Sequence, residues 1–255
     1  MTAELHFSHI TKTFQSGAGR TKALDDVSLT IDPGSFVAIV GPSGCGKSTL
    51  LHIAAGLDTQ HDGTFQRTPS NAVGACLFQT PRLLPWLSAA KNVAFALEAR
   101  GLGRRASAAR ATEMLDVVGL SKFAGHFPSQ LSGGMQQRVA LARALAVDPD
   151  ALLMDEPFSA LDELTARRLR AELLDLYAAK PRTTVFVTHN IYEACYLADV
   201  VVVMSPQPGS IIAEVEISVP RPRTYEQPEL METAAKILAL IEGEVGTHSN
   251  RGDTA

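Results

Sequence analysis

The run Gly41-Pro42-Ser43-Gly44-Cys45-Gly46-Lys47-Ser48 joins glycines, a lysine and a hydroxyl at the spacing G-x-x-x-x-G-K-[ST], a combination that cradles a polyphosphate. Gly41, Gly44 and Gly46 let the backbone turn tightly enough for successive N–H groups to converge on phosphate oxygens, with the positive end of a following helix behind them. Lys47 is expected to reach the β- and γ-phosphates, Ser48 to place its hydroxyl on Mg²⁺, and Thr49 to bond an α-phosphate oxygen. For Cys45 two readings stand. It is a small filler, or it is a thiol activated by the helix N-terminus, whose alkylation abolishes nucleotide binding and which bound nucleotide protects. Further along, the apolar residues Leu152, Leu153 and Met154 end in two acids, Asp155 and Glu156. That pattern sets one carboxylate, Asp155, in a magnesium shell and the next, Glu156, beside an attacking water as general base.

Such groups need rigid elements to hold them. Residues 35–40 form a short, almost wholly apolar run, the pattern of a strand buried on both faces of a parallel sheet, and the glycine loop follows it directly. Residues 48–57 read as the helix behind the loop, ended by Gly56 and the polar stretch 58–63. Residues 5–14 and 23–31 alternate apolar and polar side chains and are predicted to be half-buried strands forming an antiparallel edge. A strand over 73–78 is followed by helix formers from about 88 to 125, an inserted helical lobe. Then come a helix over 134–146, a strand over 151–154, a helix over 164–179 and a strand over 183–187, which restore the βαβ rhythm. Strands over 200–204 and 211–217, the loop Pro220-Arg221-Pro222-Arg223 and a helix near 229–241 complete the fold, and residues 243–255 are expected to form a disordered tail. One α/β domain over 1–242, with a helical subdomain at about 88–135, is the expected organisation.

Composition narrows the function. With 45% hydrophobic and 20% charged residues and a net charge of -4, the 255-residue chain has the balance of an ordinary globular protein and lacks the clustered cations of a nucleic-acid binder. Cys45, Cys76 and Cys195, an odd number at wide spacing, suggest neither a disulfide framework nor a zinc site, and fit a reducing cytoplasm. No apolar stretch approaches the ~20 residues that span a bilayer and no signal peptide opens the chain, so a membrane role would be peripheral.

A phosphate loop alone leaves kinases, GTPases and helicases open. The run Leu131-Ser132-Gly133-Gly134-Met135-Gln136-Gln137-Arg138, shortly before the acidic strand end, resembles the signature motif of ATP-binding-cassette proteins. Its hydroxyl and backbone N–H groups at a helix start make a second phosphate site. The other motifs of that family also occur in order, over about residues 5–240. By this resemblance Phe14 stacks on adenine, Gln79 links magnesium and water to a membrane partner, the loop Ser159-Ala160-Leu161-Asp162 crosses to a second subunit, and His189 touches the γ-phosphate. The resemblance implies a P-loop NTPase of the ABC nucleotide-binding type with an antiparallel β subdomain and an inserted helical subdomain. It also implies ATP and Mg²⁺ as ligands, and a head-to-tail dimer in which the loop of one copy and Ser132, Gly133 and Gly134 of the other close on each nucleotide. Met135 departs from the family's usual glutamine.

Around Gln79, the Pro-punctuated Leu83, Leu84 and Trp86 are expected to form an interface, since in the family this region receives a short helix from the membrane subunit. The stretches 81–86, 158–165, 202–209 and 220–223 resemble the ATPases of nitrate, sulfonate and taurine importers. That resemblance implies two permease subunits, indirectly an extracytoplasmic solute-binding protein, and a peripheral place on the cytoplasmic face of the membrane. A soluble cassette ATPase acting on ribosomes or DNA is the rival reading, and tandem cassettes or long heptad insertions would mark it; the chain has one set of motifs and no sustained heptads.

Overall fold

The computed structural model describes residues 2–16 and 19–249. The chain divides into two compact units, one formed by Met1–Ala72 with Arg182–Ala255, the other by Val73–Pro181.

The first unit holds two sheets. Strands β1 (Glu4–Ser16), β2 (Gly19–Ile31) and β4 (Asp62–Thr68) form an antiparallel sheet in the order β2-β1-β4. Phe7 sits opposite both Leu29 and Phe65 in its ladders, and the Phe7 and Phe65 rings lie 4.8 Å apart, a cross-strand pair that fixes register. β4 is absent from the sequence reading, in which residues 58–63 were a polar connection. Its seven residues include one aromatic and no aliphatic side chain, so periodicity gives almost no strand signal there.

The second sheet of this unit runs β7 (Thr183–Val187), β3 (Phe36–Val40), β8 (Val200–Met204) and β9 (Ile211–Glu216), with only β9 antiparallel. All five residues of β3 and all five of β7 are buried, as expected for strands covered on both faces. Helix α1 (Lys47–Ala54) follows β3, and α6 (Ile191–Leu197) and α7 (Pro228–Ser249) pack with each other. α7 runs past the expected boundary at residue 242 to Ser249, so residues 243–249 are helical rather than a disordered tail, and 250–255 lie outside the described residues.

Buried Arg223 closes the end of α6. Its guanidinium donates to the carbonyls of Cys195, Tyr196 and Ala198, and to those of Val219 and Ile217, so one planar fork satisfies groups that the helix terminus leaves open.

In the second unit β5 (Gly74–Leu77) and β6 (Ala151–Asp155) pair in parallel, with Leu77 opposite Met154. Helices α2 (Ala89–Glu98), α3 (Arg104–Val117) and α4 (Gly133–Ala146) pack on one another, and α5 (Glu163–Ala179) follows β6. Ser88, Ser132 and Asp162 cap α2, α4 and α5, each accepting a backbone N–H three residues on. Fully buried Asn92 holds the chain that enters α2: its Oδ1 accepts the Leu84 N–H at 2.8 Å, and its Nδ2 donates to the carbonyls of Leu84, Leu87 and Ser88. No helix among the described residues is long and apolar enough to cross a membrane.

All three cysteines are free thiols. Cys45 has 0% exposure, and burial raises its pKa against the opposing pull of Lys47, so the reading of an activated thiol fails: desolvation outweighs the helix terminus. Burial also pushes Cys195 up to about 11 and, together with the charge of Asp155, Cys76 up to about 12. We therefore expect mass spectrometry after iodoacetamide treatment at pH 7.5 to find all three thiols unmodified in the native protein and modified in denaturant; rapid native labelling of Cys45 would restore the reactive reading. Replacing Arg223 by Met should lower the unfolding free energy by about 3 kcal/mol or more, because several buried carbonyls lose a charged donor. A Lys replacement, a point charge without the fork, should not recover that loss in a denaturant titration.

Candidate functional site

The loop from Gly41 to Gly46 leaves the end of β3 and turns into α1 through Gly46, whose φ of +100° lies in the left-handed region. A Cβ there would come within 2.5 Å of Leu24 Cδ2 and 2.8 Å of the Ala23 carbonyl oxygen, so only glycine fits. Gly209, in the β8–β9 turn, was not singled out in the sequence. It supports the loop from behind, where a Cβ would lie 1.8 Å from the Cys45 carbonyl oxygen. Nothing in the local sequence signals this, since the contact joins segments over 160 residues apart.

Lys47 is buried, and its ammonium donates to the carbonyls of Gly41 at 2.8 Å and Pro42 at 2.9 Å, which holds the charge within the loop. Ser43, Gly44 and Ser48 are exposed and Pro42 and Thr49 half-buried, so glycine backbone and hydroxyl residues lie at the surface around a fixed cation. That combination fits a polyphosphate.

Two further groups of this unit were expected to serve the nucleotide. Since β7 is the parallel neighbour of β3, with Val187 opposite Ile39, His189 emerges at the same carboxyl edge of the sheet as the loop and is exposed. Beneath it buried Thr188 donates its hydroxyl to the Glu193 carboxylate, and Asn190 caps α6 by accepting the Glu193 N–H at 3.1 Å. Phe14 is 45% exposed on β1, with Lys12 Nζ 4.8 Å from its ring centroid. An exposed ring is free to stack on a base, and this exposure argues against plain packing on the sheet.

The second unit carries the acids. Asp155 is buried at the end of β6, and Glu156, half-buried, takes a left-handed φ of 43°, unusual for a non-glycine residue and worth a local strain of about 1–3 kcal/mol. Gln79 issues from the same end of the parallel β5–β6 pair, and its Nε2 donates to Glu156 Oε2 at 3.4 Å. The structure thus brings these two together. The turn after Glu156 is held by Ser159, whose N–H and hydroxyl both donate to the Glu156 carbonyl. It leads to Asp162, whose carboxyl is held below its ordinary pKa by the Thr165 N–H.

At the start of α4, Ser132 and Gly133 are exposed, and Gly134 is constrained: a Cβ there would meet Leu161 Cδ2 at 2.8 Å. This exposed, glycine-bearing helix start is the second phosphate-type feature of the chain. No cluster of three or more His, Cys, Asp or Glu residues suited to a metal occurs among the described residues.

Comparison with known proteins converges on one family. The family model described as "ABC transporter" matches residues 24–159. An aliphatic sulfonates import ATP-binding protein of Burkholderia cenocepacia, SsuB 2, is 47% identical over 88% of this chain and 83% of its own length. A taurine import ATP-binding protein of Rhizobium johnstonii, TauB, is 46% identical over 84% of both chains. Among solved structures, the dimeric ATP-binding cassette MJ0796 in a post-hydrolysis state bound to ADP and Pi superposes with a TM-score of 0.77 at 34% identity, over 85% of this chain and 100% of that one. Since the family model spans more than half of the sequence, from within β2 to the turn after the acids, and the relatives agree over most of its length, the chain belongs to the ABC transporter family.

Proposed function

We propose that this chain is the ATP-hydrolysing subunit of an importer, acting as a head-to-tail pair of copies beneath two membrane-spanning permease subunits. The observation that carries this reading is the presence of two phosphate-type N–H clusters on one chain, the loop around Lys47 and the helix start at Ser132–Gly134, each in its own compact unit. Two copies arranged head to tail would offer one cluster of each kind to either nucleotide. The dimeric relative bound to ADP and Pi supports the pairing of two copies.

Within the site, the loop N–H groups and Lys47 bind and neutralise the β- and γ-phosphates, and Phe14 stacks on adenine. Ser48, Asp155 and Gln79 are the residues that would hold Mg²⁺ or its waters, and the ion would supply neutralisation of phosphate charge. Glu156 takes the proton of the attacking water, Gln79 orients that water, and His189 meets the γ-phosphate as it becomes planar. Asp162 serves the facing copy. Catalysis of this kind is mainly positioning and charge stabilisation.

The exposed Trp86, at 70%, with half-buried Leu83 and Leu84 makes an apolar surface just past Gln79, suited to a permease segment. The permease in turn would meet a solute-binding protein on the far side, placing this chain peripherally on the cytoplasmic face. Relatives named for sulfonates and taurine support a small sulfonate, or nitrate by the motif resemblance, as cargo.

Glu156→Gln should keep ATP binding and lose turnover by about 10²–10⁴-fold, measured as phosphate release beside an equilibrium nucleotide titration. Turnover near that of the unaltered protein would remove Glu156 as base. Trp86→Ser should leave the isolated subunit's ATPase rate unchanged while a tagged copy no longer retains a multi-span membrane protein on purification from gently solubilised membranes. Undiminished recovery of that protein would move the permease contact elsewhere.

A further inference from the structure

Helix α4, which begins at Ser132–Gly134, also grips the segment that carries Gln79. Gln137, 2% exposed, donates Nε2 to the Phe78 carbonyl at 3.1 Å, immediately before Gln79. Arg143, six residues further along the same helix, donates Nη1 to the Arg82 carbonyl at 3.0 Å and Nη2 to the Pro81 carbonyl at 2.9 Å, three and two residues past Gln79. The held segment closes on itself: Arg82 takes a left-handed φ of 46°, and its guanidinium lies 4.1 Å from the centroid of the Phe78 ring. Gln79 therefore stands on a short arch fixed at both feet by one helix, with its own amide reaching Glu156 at 3.4 Å.

We infer that Gln137 and Arg143 are positioning residues for hydrolysis, which hold the backbone on either side of Gln79 and so tie its amide to the rigid helix that starts at the signature. This rests on the role given to Gln79 above. Two features favour it over a purely structural role. The Oε1 of Gln137 is buried with no hydrogen-bond partner, an arrangement that works against stability, so a methionine of similar reach would serve packing as well or better. Arg143 spends its planar fork on two loop carbonyls, a geometry that a lysine cannot reproduce. A long side chain such as Gln79 keeps a water in line only if its backbone is held, because small displacements of a positioning group cost catalysis steeply.

The test uses the full chain and the variants Gln79→Ala, Gln137→Met and Arg143→Lys, the last two also combined with Gln79→Ala. For each, kcat, nucleotide affinity and melting temperature are measured. Gln137→Met should lose about tenfold or more in kcat with nucleotide affinity unchanged and a melting temperature unchanged or raised. Arg143→Lys should show the same split between kcat and affinity. Neither should add to the loss already caused by Gln79→Ala, because both act through that residue. Unimpaired kcat in both single variants, or losses that multiply in the double variants, would overturn the inference while leaving Gln79 in its role. If Gln79→Ala itself turns over like the unaltered protein, the role of Gln79 and the clamp fall together.

Discussion

A strand buried on both faces has to keep its backbone groups paired to its very end, and β3 does so against β7 and β8, with the Thr188 N–H donating to the Ile39 carbonyl at 3.2 Å, before it hands the chain over to the loop between Gly41 and Gly46. Much of the first unit can be traced to that handover. The loop must reverse within a few residues and lead straight into α1, which it does through the left-handed turn at Gly46. Its floor is then assembled from segments far apart in the chain: Leu24 and Ala23 from β2, and Gly209 from the β8–β9 turn. These are bonded to one another, Asp25 N–H to the Gly209 carbonyl at 2.9 Å and Gly209 N–H to the Ala23 carbonyl at 3.0 Å. The antiparallel sheet thus has a second task besides presenting Phe14: it is one wall of the mould in which the phosphate loop sets.

The second unit faces a different problem, that of keeping two carboxylates at one strand end. Asp155 is buried, and its charge is one of the causes that raise the neighbouring Cys76 thiol, after burial itself. Glu156 escapes the line of the strand by turning into left-handed backbone, where glycine would be more comfortable but would carry no carboxylate. The strain is offset locally, since both donors of Ser159 fall on the Glu156 carbonyl. A kink of this kind takes the second acid off the line of the strand, and the roles proposed above ask the two neighbours for different work.

How much of this could be read from the chain depended on whether the relevant groups are contiguous. The phosphate loop, the acidic strand end and the capped helix at Ser132 are each local patterns, and the structure places them at the strand ends and helix starts that their spacing required. β4 was illegible because its pairing with β1 is a property of the backbone, while its side chains are almost all polar. The continuation of α7 past residue 242 was masked by Gly243 and Gly246, which read as helix breakers. For Cys45 the sequence leaves a filler and an activated thiol both open, since the helix terminus is visible in sequence and the depth of burial, which favours the filler, is not. Gly209, Gln137 and Arg143 were passed over for the plainest reason: each acts on backbone that lies far from it in sequence, and an amide or guanidinium on an amphipathic helix looks like any other polar residue.

Met135, where the family has glutamine, shows what the second phosphate site asks of its residues. The helix start is fixed by the Ser132 hydroxyl, which accepts the Met135 N–H at 3.3 Å and is indifferent to the side chain beyond it. Gly134 is fixed by its approach to Leu161, where a Cβ would collide. The link to the preceding turn is made by the next residue, Gln136, whose amide donates to the carbonyls of Pro128 at 3.0 Å and Leu131 at 3.2 Å. With the backbone held by its neighbours on both sides, position 135 is left to half-buried packing, which an unbranched thioether does well. The backbone of this helix start is held by Ser132, Gly134 and Gln136, and none of these contacts uses the side chain at position 135.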